Sequence, residues 1–140
     1  MKVYILTDLE GPACVAQWDQ TRVDESPRKS VAMRLLTKEV NAAVDGILDY
    51  DKGAQVVVMD GHGSGGIDVE LIHRSAELIF GRGKKAPTGL DETFDALFFV
   101  GQHAMAGTDN GPLCHTYSSK TVEYYRLNGE YIGEFAGRAY

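Results

Sequence analysis

The sequence predicts an α/β protein: an open, mostly parallel sheet with flanking helices, in a Rossmann-like three-layer arrangement, with a C-terminal β-hairpin extension. Three observations predict it. Residues 3–6, 55–59 and 96–100 are short apolar runs rich in β-branched or aromatic side chains, as expected of strands covered on both faces. Between the first two runs, apolar residues recur at helical spacing, and strand, helix, strand in that order implies a right-handed parallel crossover. Asn128-Gly129 is the strongest two-residue hairpin signal in the chain.

The first strand, residues 3–6, runs into Thr7-Asp8-Leu9-Glu10-Gly11-Pro12. Residues two apart on extended chain point the same way, so Asp8 and Glu10 aim their carboxylates at one point. Like charges so placed require a cation or a proton. A polar connection over 17–25 carries the single tryptophan, Trp18. Ser26 suits an N-cap, Pro27 suits the first helical position, and Asp24 and Glu25 favour the positive end of the helix dipole. Met33, Leu36, Val40, Val44 and Ile47 then mark a buried helix face, opposite Arg34, Lys38, Asn41, Asp45 and Asp49. Gly53 closes the helix region.

The second strand, 55–59, ends in the glycine-rich turn Asp60-Gly61-His62-Gly63-Ser64-Gly65-Gly66. A short helix is expected within 68–74 and a brief strand at 78–80. Residues 81–89 read as a basic loop, with Lys84 and Lys85, punctuated by glycine and proline. The third long run, 96–100, ends in Gly101-Gln102-His103. An aperiodic loop over 104–114 leads to His115 and to a segment of β character over 116–127. The Asn128-Gly129 turn should return the chain through Tyr131 and Ile132 to Glu134. Residues 134–140 read as the opening turns of a helix without a stop signal, so the chain reads as the N-terminal portion of a longer fold.

The 140 residues are expected to form a single α/β metal-binding domain, 1–140, with enough length for a real core. Cys14 and Cys114 are too few and too separated for a disulfide scaffold. Net charge is −6, with sequence pI near 5.1. The lysines and arginines are dispersed and do not form a stripe that could track phosphates, so nucleic acid is not an expected partner. No apolar run has the length of a signal-peptide core or a membrane span, and the expected setting is soluble and cytoplasmic.

Chemistry-bearing residues collect at three strand ends: Asp8 and Glu10, then Asp60 and His62, then His103. In an open parallel sheet, ligands bind outside the carboxyl ends of the strands, which brings these groups together. Carboxylates and imidazoles without thiolates suit zinc, manganese or another divalent ion. Asp60 is either a ligand or, as preferred here, a structural group or a partner that orients an imidazole. His73 lacks such placement and reads as structural. Gly61, Gly63 and Gly66 spell G-x-G-x-x-G, but nearby carboxylates would repel a pyrophosphate and the unit is not the first strand and turn. Cys114 and His115 are adjacent on extended chain and so face opposite ways, which disfavours a cysteine hydrolase and leaves His115 the better candidate. Tyr117, Tyr124, Tyr125 and Tyr131 read as strand packing.

With Thr7-Asp8-Leu9-Glu10-Gly11, Asp60-Gly61-His62, Gly101-Gln102-His103-Ala104, His115 and Gly133-Glu134, the chain resembles the zinc-dependent D-aminopeptidases of the dipeptide-transport operon type. The resemblance runs over essentially the whole chain, including Gly89-Leu90-Asp91-Glu92-Thr93-Phe94 and the Asn128-Gly129 turn. It implies two zinc ions per chain held by Asp8, Glu10, His62, His103 and Glu134, with Asp8 bridging them, and it makes His115 the catalytic histidine. It further implies hydrolysis of the N-terminal peptide bond of short peptides with D-amino acids, of the D-Ala type, by a homo-oligomer that is ring-like in the family. Family descriptions treat the histidine as a nucleophile, whereas chemistry alone ranks acid/base or oxyanion roles higher. Members of the family are considerably longer than this chain. Two other readings keep the metal site: a truncated or inactive metal-binding domain acting through assembly, and a two-metal phosphoester hydrolase.

Overall fold

The computed structural model describes residues 1–81 and 86–139; Lys84, Lys85 and Tyr140, read above as loop and helix positions, lie outside the described residues. The elements in chain order are β1 (Lys2–Thr7), α1 (Pro27–Tyr50), β2 (Gln55–Asp60), β3 (Ala76–Ile79), β4 (Ala96–Val100), β5 (Arg126–Leu127), β6 (Glu130–Tyr131) and α2 (Glu134–Ala139). A single 3₁₀ turn, Trp18–Gln20, precedes α1. The expected fold class is the one observed. A parallel sheet in the order β3-β2-β1-β4 is joined by the small antiparallel hairpin of β5 and β6.

That strand order follows from two opposite moves of the chain. From β1 it steps outward through β2 to β3, then returns across the sheet to place β4 on the other side of β1. The reversal lies between β1 and β4, and a crevice opens there beyond the strand ends.

α1 begins where its signals put it: Ser26 Oγ accepts the Arg28 N–H at 3.2 Å, with Pro27 at the first helical position. Its face of Ala32, Leu36, Val40, Val44 and Ile47 packs on Val3, Ile5, Val56 and Val58. The opposite sheet face, Tyr4, Leu6, Val57 and Met59, is closed by Ala86, Leu90 and Phe94 from the connection before β4. Tyr4 donates its hydroxyl to the Thr88 carbonyl at 2.6 Å, so this buried phenol keeps a partner. Edge strand β4 is less covered: Phe98 is 42 % and Phe99 37 % exposed, on opposite faces.

Two local expectations are corrected. Residues 68–74 form turns and no helix, because side chains bind the backbone groups a helix would use. The Asp68 N–H donates to Thr37 Oγ1, the Glu70 N–H to Asp68 Oδ1 and the His73 N–H to Asn41 Oδ1, a competition that disfavours helix. In the segment 116–127 only 126–127 is strand. β propensity expresses packing on a pleated neighbour, and among the described residues only β6 pairs there. Tyr117, Tyr124 and Tyr125 consequently stand exposed and do not pack a sheet, and Tyr131, although it lies in β6, is exposed as well. The strand expected at 78–80 is observed at Ala76–Ile79.

Candidate metal centre

Three glycines let the strand ends approach one another. A Cβ on Gly101, whose φ is +80°, would stand 2.2 Å from the Asp8 carbonyl oxygen, and one on Gly11 would stand 2.0 Å from that of Gln102. At Gly61 it would meet the Thr7 carbonyl oxygen at 2.6 Å. Without side chains at these positions, the Asp8 N–H donates to the Val100 carbonyl at 3.1 Å and the Gly11 N–H to that of Gly101 at 2.7 Å. The loops after β1, β2 and β4 thereby form one floor.

On that floor the structure gathers Asp8, Glu10, His62, His103, His115 and Glu134. Leu9 turns into the core while its two acidic neighbours face the crevice, as the two-residue period requires. His62 Nδ1 stands 3.0 Å from Asp8 Oδ1 and 3.1 Å from Glu10 Oε2. His103 Nε2 stands 3.3 Å from the other Asp8 oxygen, Oδ2, and 4.0 Å from Glu134 Oε2. The Asp8 carboxylate thus presents one oxygen to each histidine. His115 stacks on His103 with ring centroids 3.6 Å apart and planes 20° apart.

The backbone fixes the tautomers. His62 Nε2 meets the Thr21 carbonyl at 3.0 Å, His103 Nδ1 that of Ala104 at 2.8 Å and His115 Nδ1 that of Leu113 at 2.8 Å. A carbonyl only accepts, so each of these nitrogens carries a proton, and the other nitrogen of a neutral ring offers a lone pair. This is the orientation that metal-binding histidines adopt.

Burial and charge oppose one another here. Burial works against a charge on His62, but its hydrogen bond to Asp8 and the negative charges of Asp8 and Glu10 outweigh it and push its pKa up to about 10. Glu10 is likewise penalised by burial, yet His62 holds it down at about 2. Asp8, the most enclosed of the three, is raised by its own burial in spite of His62. The charged form of His62 is therefore favoured beside these two acids.

The donor set fits a divalent ion. His103 Nε2 and Glu10 Oε2 are buried with no hydrogen-bond partner among the described residues. Glu10 Oε2 is near enough to His62 for charge attraction but off the hydrogen-bond direction that Asp8 takes. Two ligands held at ~2.0–2.1 Å from one tetrahedral ion stand ~3.3 Å apart, close to the spacings at Asp8. Donor atoms of Asp8, Glu10 and His103 form one group within 4.8 Å of one another, and those of His103, His115 and Glu134 form another. Glu134, buried at the start of α2, bonds to Arg138 at 3.1 Å and accepts the Tyr117 N–H.

Other candidates lie outside this cluster. Asp60 accepts the N–H groups of Gly66 and Ile67 and so clamps the glycine-rich turn; amides that could cradle a phosphate are occupied by its carboxylate. His73 pairs with Asp45 of α1 at 3.3 Å. Sequence reasoning missed Trp18, whose ring meets His115 edge to face at 5.5 Å, and Arg22, stacked on Trp18. The only signal was a lone tryptophan in a polar connection. A cleft of about 690 Å³ opens from the acids and His115 toward Arg22, Ser119 and Lys120.

Comparison with known proteins bears on this site. A family model described as D-aminopeptidase matches residues 1–140. A curated D-aminopeptidase of Bacillus subtilis (strain 168) is 33% identical over 145 residues, which cover 100% of this chain and 51% of that protein. The solved structure of the "Zn-dependent D-aminopeptidase DppA from Bacillus subtilis, a self-compartmentalizing protease" superposes with a TM-score of 0.85 at 31% identity, again over 100% of this chain and 51% of that one. The chain spans about half the length of these relatives.

Proposed function

This chain belongs to the D-aminopeptidase family, and from that premise we propose that it forms the dinuclear zinc centre of a metallo-aminopeptidase. The reaction is hydrolysis of the N-terminal peptide bond of short peptides that begin with a D-amino acid, of the D-Ala type. The observation that carries the reading is the Asp8 carboxylate, with one oxygen facing His62 and the other facing His103. A carboxylate so placed suits a bridge between two ions. Glu10 and His62 would complete one ion's ligands, and His103 and Glu134 the other's.

Zinc in this donor set supplies Lewis acidity, acidifying a water and polarising a carbonyl at neutral pH. The chain's own residues do the rest. His115 keeps its proton on Nδ1 through the Leu113 carbonyl, leaving Nε2 to take a proton or, once charged, to give one to the departing amine or support an oxyanion. His103 stacks on one face of that ring and Trp18 meets it edge to face, so its direction is set before substrate arrives. The B. subtilis relative is described as self-compartmentalizing, and homo-oligomeric assembly belongs to the same reading; the exposed Phe98 and Phe99 on β4 offer apolar surface for it.

The test is zinc content together with turnover. About two zinc ions per chain, lost in Asp8→Ala, and hydrolysis of D-alanyl peptides ahead of their L-counterparts are expected. His115→Ala should keep its zinc and lose ~10²–10⁴-fold in kcat. Turnover of phosphoesters in place of peptides would overturn the reaction class; loss of zinc from His115→Ala would make that residue a ligand.

A further inference from the structure

Beside the acids, the cleft is lined by the basic residues Arg22, Lys120 and Arg138, although the chain as a whole carries 20 acidic residues against 14 lysines and arginines. Arg22 follows Thr21, whose carbonyl receives the His62 Nε2–H, so its backbone is tied to the metal-ligand cluster. Its guanidinium lies over the Trp18 ring at 3.8 Å and donates to Ser119 Oγ at 2.6 Å. Ser119 in turn sits four residues beyond His115. The group is thus held by Trp18 and Ser119, and it lines the cleft together with Lys120. Ion pairs among the described residues engage Arg28, Lys29, Lys52 and Arg138, and none of them takes Arg22 or Lys120.

A fixed guanidinium has five N–H donors, and the Ser119 bond uses one; the remaining fork matches a carboxylate. Distance selects which carboxylate. The His115–Trp18 and Trp18–Arg22 contacts, 5.5 and 3.8 Å, bound the path from the His115 ring to the guanidinium at under ~10 Å; less a contact of ~3 Å at each end, that leaves room for about one residue, and at most two, beyond the scissile bond at ~3.3–3.6 Å each. A peptide whose first bond lies at His115 therefore brings its own C-terminus to Arg22.

We propose that Arg22, assisted by Lys120, binds the free α-carboxylate of the substrate and so restricts the site to di- and tripeptides. The proposal rests on the aminopeptidase reading, with Arg22 as its length-reading residue. It predicts that a C-terminal amide, which presents no charge to the guanidinium, binds and reacts poorly.

The experiment compares D-alanyl-D-alanine with its C-terminal amide as substrates of the zinc-loaded protein. It also compares, by calorimetry, non-hydrolysable analogues of both that carry CH₂–NH in place of the scissile amide. The acid analogue should bind ~10–100-fold more tightly than the amide. Arg22→Gln should remove most of that preference, raising KM for the acid but not the amide, with kcat and zinc content kept; Lys120→Gln should remove a smaller part. Equal binding of acid and amide by the unaltered protein, or a preference that survives Arg22→Gln, overturns the proposal. Hydrolysis of both forms at equal KM sinks it while leaving the aminopeptidase reading intact. An acid preference without any turnover does the reverse, and failure of both analogues to bind removes both.

Discussion

At the scale of single residues, the site is defined by where protons sit. His62 is held charged to about pH 10 by Asp8 and Glu10, and a metal ion can use Nδ1 only after displacing that proton. Zinc binding at pH 8 should therefore release about one proton from this site, with affinity rising as pH rises toward 10. Calorimetry in buffers of different ionisation enthalpy reads the number directly; a heat independent of the buffer would contradict it. The same shifts set a stability profile for chelator-treated protein. The pKa of His62 is raised from 6.5, so its contribution is whole below pH 6.5 and is lost as pH rises through 10. That of Glu10 is lowered from 4.5 to about 2, so its contribution is whole above pH 4.5 and fades as pH falls through 2. Asp8, raised by burial, works against Glu10 on the acid side. The expected melting temperature declines from neutral toward alkaline pH, and His62→Gln should flatten that decline.

At the scale of elements, the strand ends meet because glycine allows it. Gly101 combines a φ of +80° with a Cβ position 2.2 Å from the Asp8 carbonyl oxygen and 2.6 Å from Leu36 Cδ1. Gly101→Ala must therefore push β4 away from the Asp8 backbone or from α1. A loss of ~1–3 kcal/mol in stability is expected, together with a fall in zinc content; full zinc occupancy at unchanged melting temperature would show that the floor is not set by this contact. β1, α1, β2, β4 and the hairpin were legible because each is written in its own periodicity, cap or turn. The turns at 68–74 were not, since Thr37 and Asn41 of α1, some thirty residues away, claim the amides a local helix would have used. The aromatic segment after His115 misled for the converse reason: it has strand composition, and among the described residues only its last two have a strand partner.

At the scale of the whole molecule, no helix among the described residues is long and apolar enough to cross a membrane. The apolar surface that remains in view includes both faces of edge strand β4. If assembly accompanies this site, light scattering at micromolar concentration should return a multiple of the single-chain mass, and Phe98→Glu should lower it; a monomer before substitution would remove the assembly proposal. The sequence by itself determined the α/β class, the placement of acids and histidines at three strand ends and the family, because strand periodicity and strand-end position are local properties. It also brought Asp8, Glu10, His62, His103, His115 and Glu134 into consideration. Only the tertiary structure decided the order β3-β2-β1-β4 that opens the crevice beside β1, the imidazole nitrogen each backbone carbonyl leaves free, and the arrival of Trp18 beside His115 with Arg22 stacked upon it. Those depend on contacts between residues tens of positions apart, whose partners become neighbours only when the chain has closed.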